Sequence, residues 1–321
     1  MKKAGRLLKM LGKVLLILLG ILVLVVVGMT LYGKWKSTQP LLDEGYSDGY
    51  KTESVIEQKY IKMGTYDVST VEYNSRDKEG VQSKIWYPTE LTNTNHPYPL
   101  IVIANASGMN ASRYEPFFKH LATWGFIVVG NEDRMSSSGK FNAESLDLML
   151  ELNSDADDIF FGKIDINNIG IAGYSQGGVG AINAVTAQKN GHYYKTIFTG
   201  SAANVELSKA LGWNYDVSKI TIPYFMTAGT LKNDTGEDNG IGVAPLSSLT
   251  KNYDLITDNV LKVRARAVNA DHEDMLVHSD GYLTAWMMYH LQGDEEAGKA
   301  FLGKNAEILN NANWQDVQIS K

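Results

Sequence analysis

Ile169-Gly170-Ile171-Ala172-Gly173-Tyr174-Ser175-Gln176-Gly177-Gly178-Val179 is the stretch that decides how this chain is read. An apolar run, Ile169 to Ala172, leads in, and a run of small helix-compatible residues, Val179 to Ala187, leads out. A serine held on so sharp a strand-to-helix turn projects its hydroxyl from the edge of a sheet, and glycines two before and two after it leave room for the turn. The helix that follows aims its free N–H groups and the positive end of its dipole at the place where an oxyanion would form. The bare G-x-S-x-G pattern also describes an ordinary Gly-rich turn; the strand before and the helix after make it a nucleophile elbow.

Working outward, the chain alternates strand and helix. Tyr98 to Ala104 is a continuous apolar run, as in a strand covered on both faces. Tyr114–Trp124 then reads as helix, Phe126–Gly130 as strand, Ala143–Leu152 as helix and Val179–Lys189 as the helix after the elbow. Strands follow at Thr196–Thr199, Tyr224–Ala228 and Val260–Val268, with helices near Tyr282–Leu291 and Glu295–Leu302. This order gives a mainly parallel sheet with helices on both faces. Lys59–Tyr73 and Gln82–Tyr87 alternate polar and apolar residues, which predicts two half-buried strands on an antiparallel edge.

The first 36 residues are a separate object. Lys2, Lys3, Arg6, Lys9 and Lys13 precede the uncharged run Val14 to Gly33, and only Lys34 and Lys36 follow it. The run is long enough for a transmembrane helix, and the basic bias puts the N-terminus in the cytoplasm and the remainder outside. A cleaved signal peptide, giving a secreted protein, is the rival. No alanine occurs between Ala4 and Ala104, so no A-x-A cleavage site exists, although Val26-Val27-Gly28 is a weak one. The expected organisation is a basic segment over 1–13, a signal anchor over 14–33, a stalk over 34–55, a catalytic domain over 56–303 and a C-terminal tail over 304–321. Seven of the 30 Lys and Arg, and none of the 36 Asp and Glu, lie in the first 36 residues, leaving 23 basic against 36 acidic, a net charge of −13. So acidic a domain argues against a nucleic-acid partner. The absence of cysteine excludes disulfides, thiolate metal sites and a cysteine nucleophile.

A serine nucleophile needs a base within hydrogen-bond reach and a carboxylate to orient that base. Of the histidines after Ser175, His272 lies in Asn269-Ala270-Asp271-His272-Glu273, directly after the last predicted parallel strand. His278 is the nearest competitor; His192 follows a helix-end turn, and His290 sits within a helix. Asp234 is the first carboxylate after the strand Tyr224–Ala228, with Asp238 as the fallback and Glu237 between them. The Asp/Asn/Gly content of that loop also suits a calcium site, but the EF-hand spacing fails, because Gly236 falls on the third ligand position. The expected oxyanion donors are the backbone N–H groups of Gln176 and of Met109, which follows Gly108 in the loop after the early buried strand. The stretch 231–249 is long and irregular, the expected place for a lid.

With the elbow and the order Ser175, Asp234, His272 in hand, the chain resembles the α/β-hydrolase superfamily. More narrowly it is similar to bacterial cutinase-like polyester hydrolases, dienelactone-hydrolase-like proteins and platelet-activating-factor-acetylhydrolase-like esterases. The resemblance covers about residues 85–302. It rests on Pro99-Leu100-Ile101-Val102-Ile103 with Ser107-Gly108-Met109, on His120 to Val129, on the elbow, and on Ala270-Asp271-His272 followed by Thr284-Ala285-Trp286. It implies the α/β-hydrolase fold and ester hydrolysis through an acyl-enzyme, with neither metal nor organic cofactor. Polyester hydrolases of this kind usually carry an aromatic residue where Met109 stands and a tryptophan where Ser201-Ala202-Ala203-Asn204 stands, and many have a C-terminal disulfide. These departures imply an ester with a smaller acyl group than an aromatic polymer.

The expectation is therefore a membrane-anchored serine hydrolase whose partner is a small-molecule, lipid or polymer ester. The alternatives are a serine peptidase or amidase acting on surface peptides, and a non-catalytic binding protein that keeps the fold.

Overall fold

The computed structural model describes residues 2–36, 38–75, 80–236, 241–257 and 259–320. The chain divides into two compact units, residues 1–41 and 42–321. The first is one helix, α1 (Lys2–Lys36). Its part Met10–Lys36 is long and apolar enough to cross a membrane, and none of it is buried within the protein.

The second unit runs α2 (Val55–Tyr60), β1 (Val68–Tyr73), β2 (Ser83–Pro88), β3 (Tyr98–Ala104), α3 (Glu115–Thr123), β4 (Ile127–Asn131) and α4 (Lys140–Ser154). It continues β5 (Ile164–Tyr174), α5 (Gln176–Thr186), β6 (Tyr194–Gly200), α6 (Val205–Ala210), β7 (Tyr224–Gly229), α7 (Lys232–Thr235) and α8 (Leu246–Leu255). It closes β8 (Lys262–Ala267), α9 (Met275–His278), α10 (Asp280–Gln292), α11 (Glu295–Gly298) and β9 (Trp314–Ile319). The described strands form one nine-stranded sheet in the order β1-β2-β4-β3-β5-β6-β7-β8-β9. From β4 through β8 neighbours are parallel, while β1, β2 and β9 pair antiparallel at the two ends.

The central strand β3 is buried along its whole length, and its side chains alternate between two cores. Leu100 and Val102 join Ile171, Ile182 and Leu146 under α4 and α5. Ile101 and Ile103 join Phe118, Phe198, Phe225 and Trp286 under α3 and α10. Each buried aliphatic side chain of this kind contributes about 1.5–3 kcal/mol, so helices on both faces hold the parallel strands, and the loops at the strands' C-terminal ends are left for chemistry.

Four features differ from the sequence reading. Residues 59–60, expected to open a strand over 59–73, instead end the helix α2, because Ile56, Glu57 and Tyr60 make one buried face against α10; only Val68–Tyr73 pairs with β2. The stalk expected over 34–55 is shorter, since Leu42 and Tyr46 pack against the α3/α10 core and the Tyr46 hydroxyl donates to Asp280 at 2.5 Å. The tail expected over 304–321 is structural: Ile308 and Trp314 are buried, and β9 pairs with β8. The helix expected over Glu295–Leu302 stops at Gly298.

Candidate active site

Ser175 sits between β5 and α5 with φ 56° and ψ −121°, left-handed space that costs a non-glycine residue about 1–3 kcal/mol. Its N–H donates to the Gly200 carbonyl at 2.9 Å, which fixes the turn to β6. The flanking glycines are steric necessities. A Cβ on Gly173 would lie 2.0 Å from the Gly177 carbonyl oxygen, and one on Gly177 would lie 2.1 Å from the Ala104 carbonyl oxygen. The G-x-S-x-G spacing thus follows from how closely the helix start folds back over β5 and the end of β3.

His272 stands in the loop after β8, at the start of a 3-10 turn capped by Asp271 and Asp274. Its Nε2 is 2.9 Å from Ser175 Oγ, and its Nδ1 is 2.7 Å from Asp234 Oδ1. Asp234, on α7 after β7, is completely buried. Its second oxygen accepts from the Gly229 N–H at 2.6 Å and from Ser201 Oγ at 2.5 Å. Three chain-distant residues therefore form one hydrogen-bonded line that ends on a fully partnered carboxylate. The acid and base loops are also joined directly: the N–H groups of Thr230 and Leu231 donate to the Ala270 carbonyl at 2.9 and 3.0 Å, and the Asn233 N–H donates to Asp271 Oδ1 at 2.8 Å.

The other candidates stand apart from this line. His278 packs edge-on against Tyr50, and burial lowers its pKa. His290 is held against Trp286, with burial lowering its pKa to about 4. His192 bonds the Lys189 carbonyl. The fallback acid Asp238 and its neighbour Glu237 lie outside the described residues. Of the stretch expected as a lid, residues 242–244 are tied down: the Val243 N–H donates to the Asn233 carbonyl at 2.8 Å, and the Val243 and Gly242 carbonyls accept from the Asn204 main-chain N–H and Nδ2 at 2.8 and 2.7 Å. Among the described residues no group of acidic and histidine side chains is placed to hold a metal ion.

Gln176 is the first residue of α5, so its N–H has no acceptor within the helix. Met109 differs from expectation: its N–H donates to the Ala106 carbonyl at 3.0 Å, closing a turn in which Gly108 has φ +70°. That loop is anchored by residues the sequence reading passed over. Asn105 Nδ2 donates to the carbonyls of Asn131 and Asp133 at 2.7 and 2.8 Å, while Tyr114 donates to Asn105 Oδ1 at 2.9 Å. The Glu132 carboxylate accepts from the Ser112 N–H at 3.1 Å, from Ser112 Oγ at 2.8 Å and from Asn110 Nδ2. Glu132 directly follows β4, and a carboxylate at a strand end beside a Gly-containing loop is the one sequence signal that could have found it. Ser201, also missed, takes φ 45°, which turns its hydroxyl toward Asp234.

Comparison with known proteins gives one family: the model described as PET hydrolase-like matches residues 44–313. No curated protein matches the chain.

Proposed function

Because the chain belongs to the PET hydrolase-like family of α/β-hydrolases, and is thereby an ester-cleaving hydrolase, we propose that it works as a serine esterase through Ser175, His272 and Asp234. The single observation that carries this reading is the unbroken line from Ser175 Oγ to His272 Nε2 and from His272 Nδ1 to Asp234. In the proposed reaction Ser175 Oγ attacks the ester carbonyl while His272 Nε2 takes its proton. The tetrahedral oxyanion is held by the Gln176 N–H at the head of α5. The Met109 N–H is the proposed second donor, exchanging its bond to Ala106 for the oxyanion; such bonds commonly tighten only in the complex. His272 returns the proton to the leaving alcohol, and water then releases the acyl group by the same steps in reverse roles. Asp234 keeps Nδ1 protonated and the ring in line.

The favoured ester carries a compact acyl group. The loop after β6 offers Ala202 and Ala203, which supply no aromatic wall on that side of Ser175. We further propose that α1 anchors the chain in a membrane with its N-terminus in the cytoplasm, following the excess of basic residues before the span.

The test is hydrolysis of p-nitrophenyl acetate, butyrate and octanoate, of bis(2-hydroxyethyl) terephthalate and of a matched anilide, by full-length protein and by Ser175→Ala. Ester turnover that falls at least about 10³-fold in the variant, with acetate and butyrate preferred, supports the proposal. Anilide turnover at the ester rate would make it an amidase, and turnover that survives in Ser175→Ala would remove the serine mechanism.

A further inference from the structure

We infer that Tyr174 is a positioning residue for His272, a latch between the strand that carries the nucleophile and the loop that carries the base. The inference rests on the serine-esterase reading above. Tyr174 immediately precedes Ser175, and its side chain makes two contacts with His272. The phenol hydroxyl donates to the His272 main-chain carbonyl, and the two rings lie 5.0 Å apart between centroids at 35°. Since the Ser175 N–H is fixed to the Gly200 carbonyl, the backbone at 174–175 is a rigid mount. The Met275 N–H donates to the same His272 carbonyl from within the loop, and the reach of Tyr174 adds the tie that registers this carbonyl against the strand carrying the serine.

The remaining ties on the base loop show what the latch adds. His272 N–H bonds Asp271 Oδ1 and Asp271 N–H bonds Asp274 Oδ2, both within the loop itself. From the acid loop, the Thr230 and Leu231 N–H groups reach only Ala270, Asn233 reaches Asp271 and Glu273, and Asp234 holds only the imidazole. Tyr174 alone among the described side chains reaches the His272 carbonyl from the sheet. Burial, and then the negative charges of Asp234, Glu273, Asp274 and Asp271, push the Tyr174 hydroxyl far above its ordinary pKa, so it stays a donor throughout the working range of an esterase.

Tyr174 also lines a small apolar pocket of about 20 Å³ together with Ile103, Phe117, Phe198, Leu276 and Leu283. These neighbours offer the ring apolar contact and no polar group in place of the carbonyl, so loss of the hydroxyl removes the tie from the sheet to the His272 backbone. Misplacement of a base by a fraction of an ångström lowers the rate of proton transfer without weakening ground-state binding. The loss therefore belongs in kcat.

The experiment compares full-length wild type, Tyr174→Phe, Tyr174→Leu and Ser175→Ala in detergent, measuring kcat and KM on p-nitrophenyl butyrate, the rate of fluorophosphonate labelling, and thermal unfolding. Tyr174→Phe removes only the hydroxyl. It should lower kcat and labelling rate together by about three- to tenfold with KM within about twofold, and Tyr174→Leu, which also removes the ring, should lower them further. A role in stability alone would move the unfolding temperature and leave kcat and labelling of the folded enzyme unchanged, and that result overturns the inference. A loss seen only as a raised KM overturns it too, since Tyr174 would then be a substrate contact. Wild type that Ser175→Ala shows to be labelled elsewhere, or not at all, overturns the serine reading and this inference together, whereas labelled wild type with an equally fast Tyr174→Phe sinks the latch alone.

Discussion

Asp234 is fully buried, and each of its oxygens has a different task. One faces His272 Nδ1; the other is held by the Gly229 N–H and Ser201 Oγ. Asp234→Asn keeps the shape and reverses the hydrogen-bond demand on Nδ1, so kcat is expected to fall by about 10³–10⁴ with little change in KM, as read from steady-state kinetics. Ser201→Ala removes one neutral hydrogen bond from the far oxygen; a loss of about 1 kcal/mol, near fivefold in kcat, is expected from the same assay. Ser175, His272 and Asp234 were legible because each falls at a strand end in the order the chemistry needs. Ser201 was not, since nothing local to Ser201-Ala202-Ala203-Asn204 says that a left-handed turn will aim its hydroxyl at a residue 33 positions on. The Met109 amide was read from position alone, and its bond to Ala106 depends on a turn geometry that Gly108 permits and the sequence does not enforce.

At the scale of the element, β5, the elbow and α5 act as one part because α5 starts in contact with the end of β3. Gly177→Ala would place a methyl 2.1 Å from the Ala104 carbonyl, and no flexible side chain is there to give way. An overpacking cost of about 3 kcal/mol is expected, seen as a melting temperature lower by roughly 6–12 °C. Gly108→Ala meets no atom within 4 Å, only an unfavourable φ of +70°, so it is expected to cost about 1 kcal/mol of stability. Buried parallel strands such as β3 were readable from their unbroken apolar runs. The start of the 59–73 region was not, because α2 is only six residues long and shows too little of a helical period, while its partner is the surface of α10, a long-range packing that no short window contains.

Across the whole molecule, the segment that follows the apolar helix is fastened to the domain by a buried pair. His120 Nδ1 lies 3.0 Å from Asp280, its Nε2 lies 2.9 Å from the Lys62 carbonyl, and Tyr46 donates to the same carboxylate. Burial opposes charge on His120, but the Asp280 carboxylate and the Lys62 carbonyl outweigh it and raise the pKa. A group raised in the folded state adds stability that is complete below its unfolded value of about 6.5 and is lost as pH climbs through the raised value. The stability gap between wild type and His120→Ala, followed by thermal unfolding, is therefore expected to narrow as pH rises above 6.5. A gap that stays constant would mean that the pair contributes packing without charge. The limits expected at 55 and 303 were wrong for one reason: polar, aperiodic sequence looks like linker even where a few residues such as Leu42, Tyr46, Ile308 and Trp314 dock it.

The docking of β9 also bears on the order in which the domain is made. Synthesis delivers β9 after the other described strands, and until it emerges β8 has an open edge, with unpaired backbone groups one loop away from His272. On the proposed serine mechanism, a released chain truncated after residue 303 is thus expected to carry Ser175, Asp234 and His272 and yet resist fluorophosphonate, whereas a chain that includes β9 labels. An enzyme of that mechanism stays silent through the earlier part of its translation, and its serine is switched on when β9 closes the edge of β8.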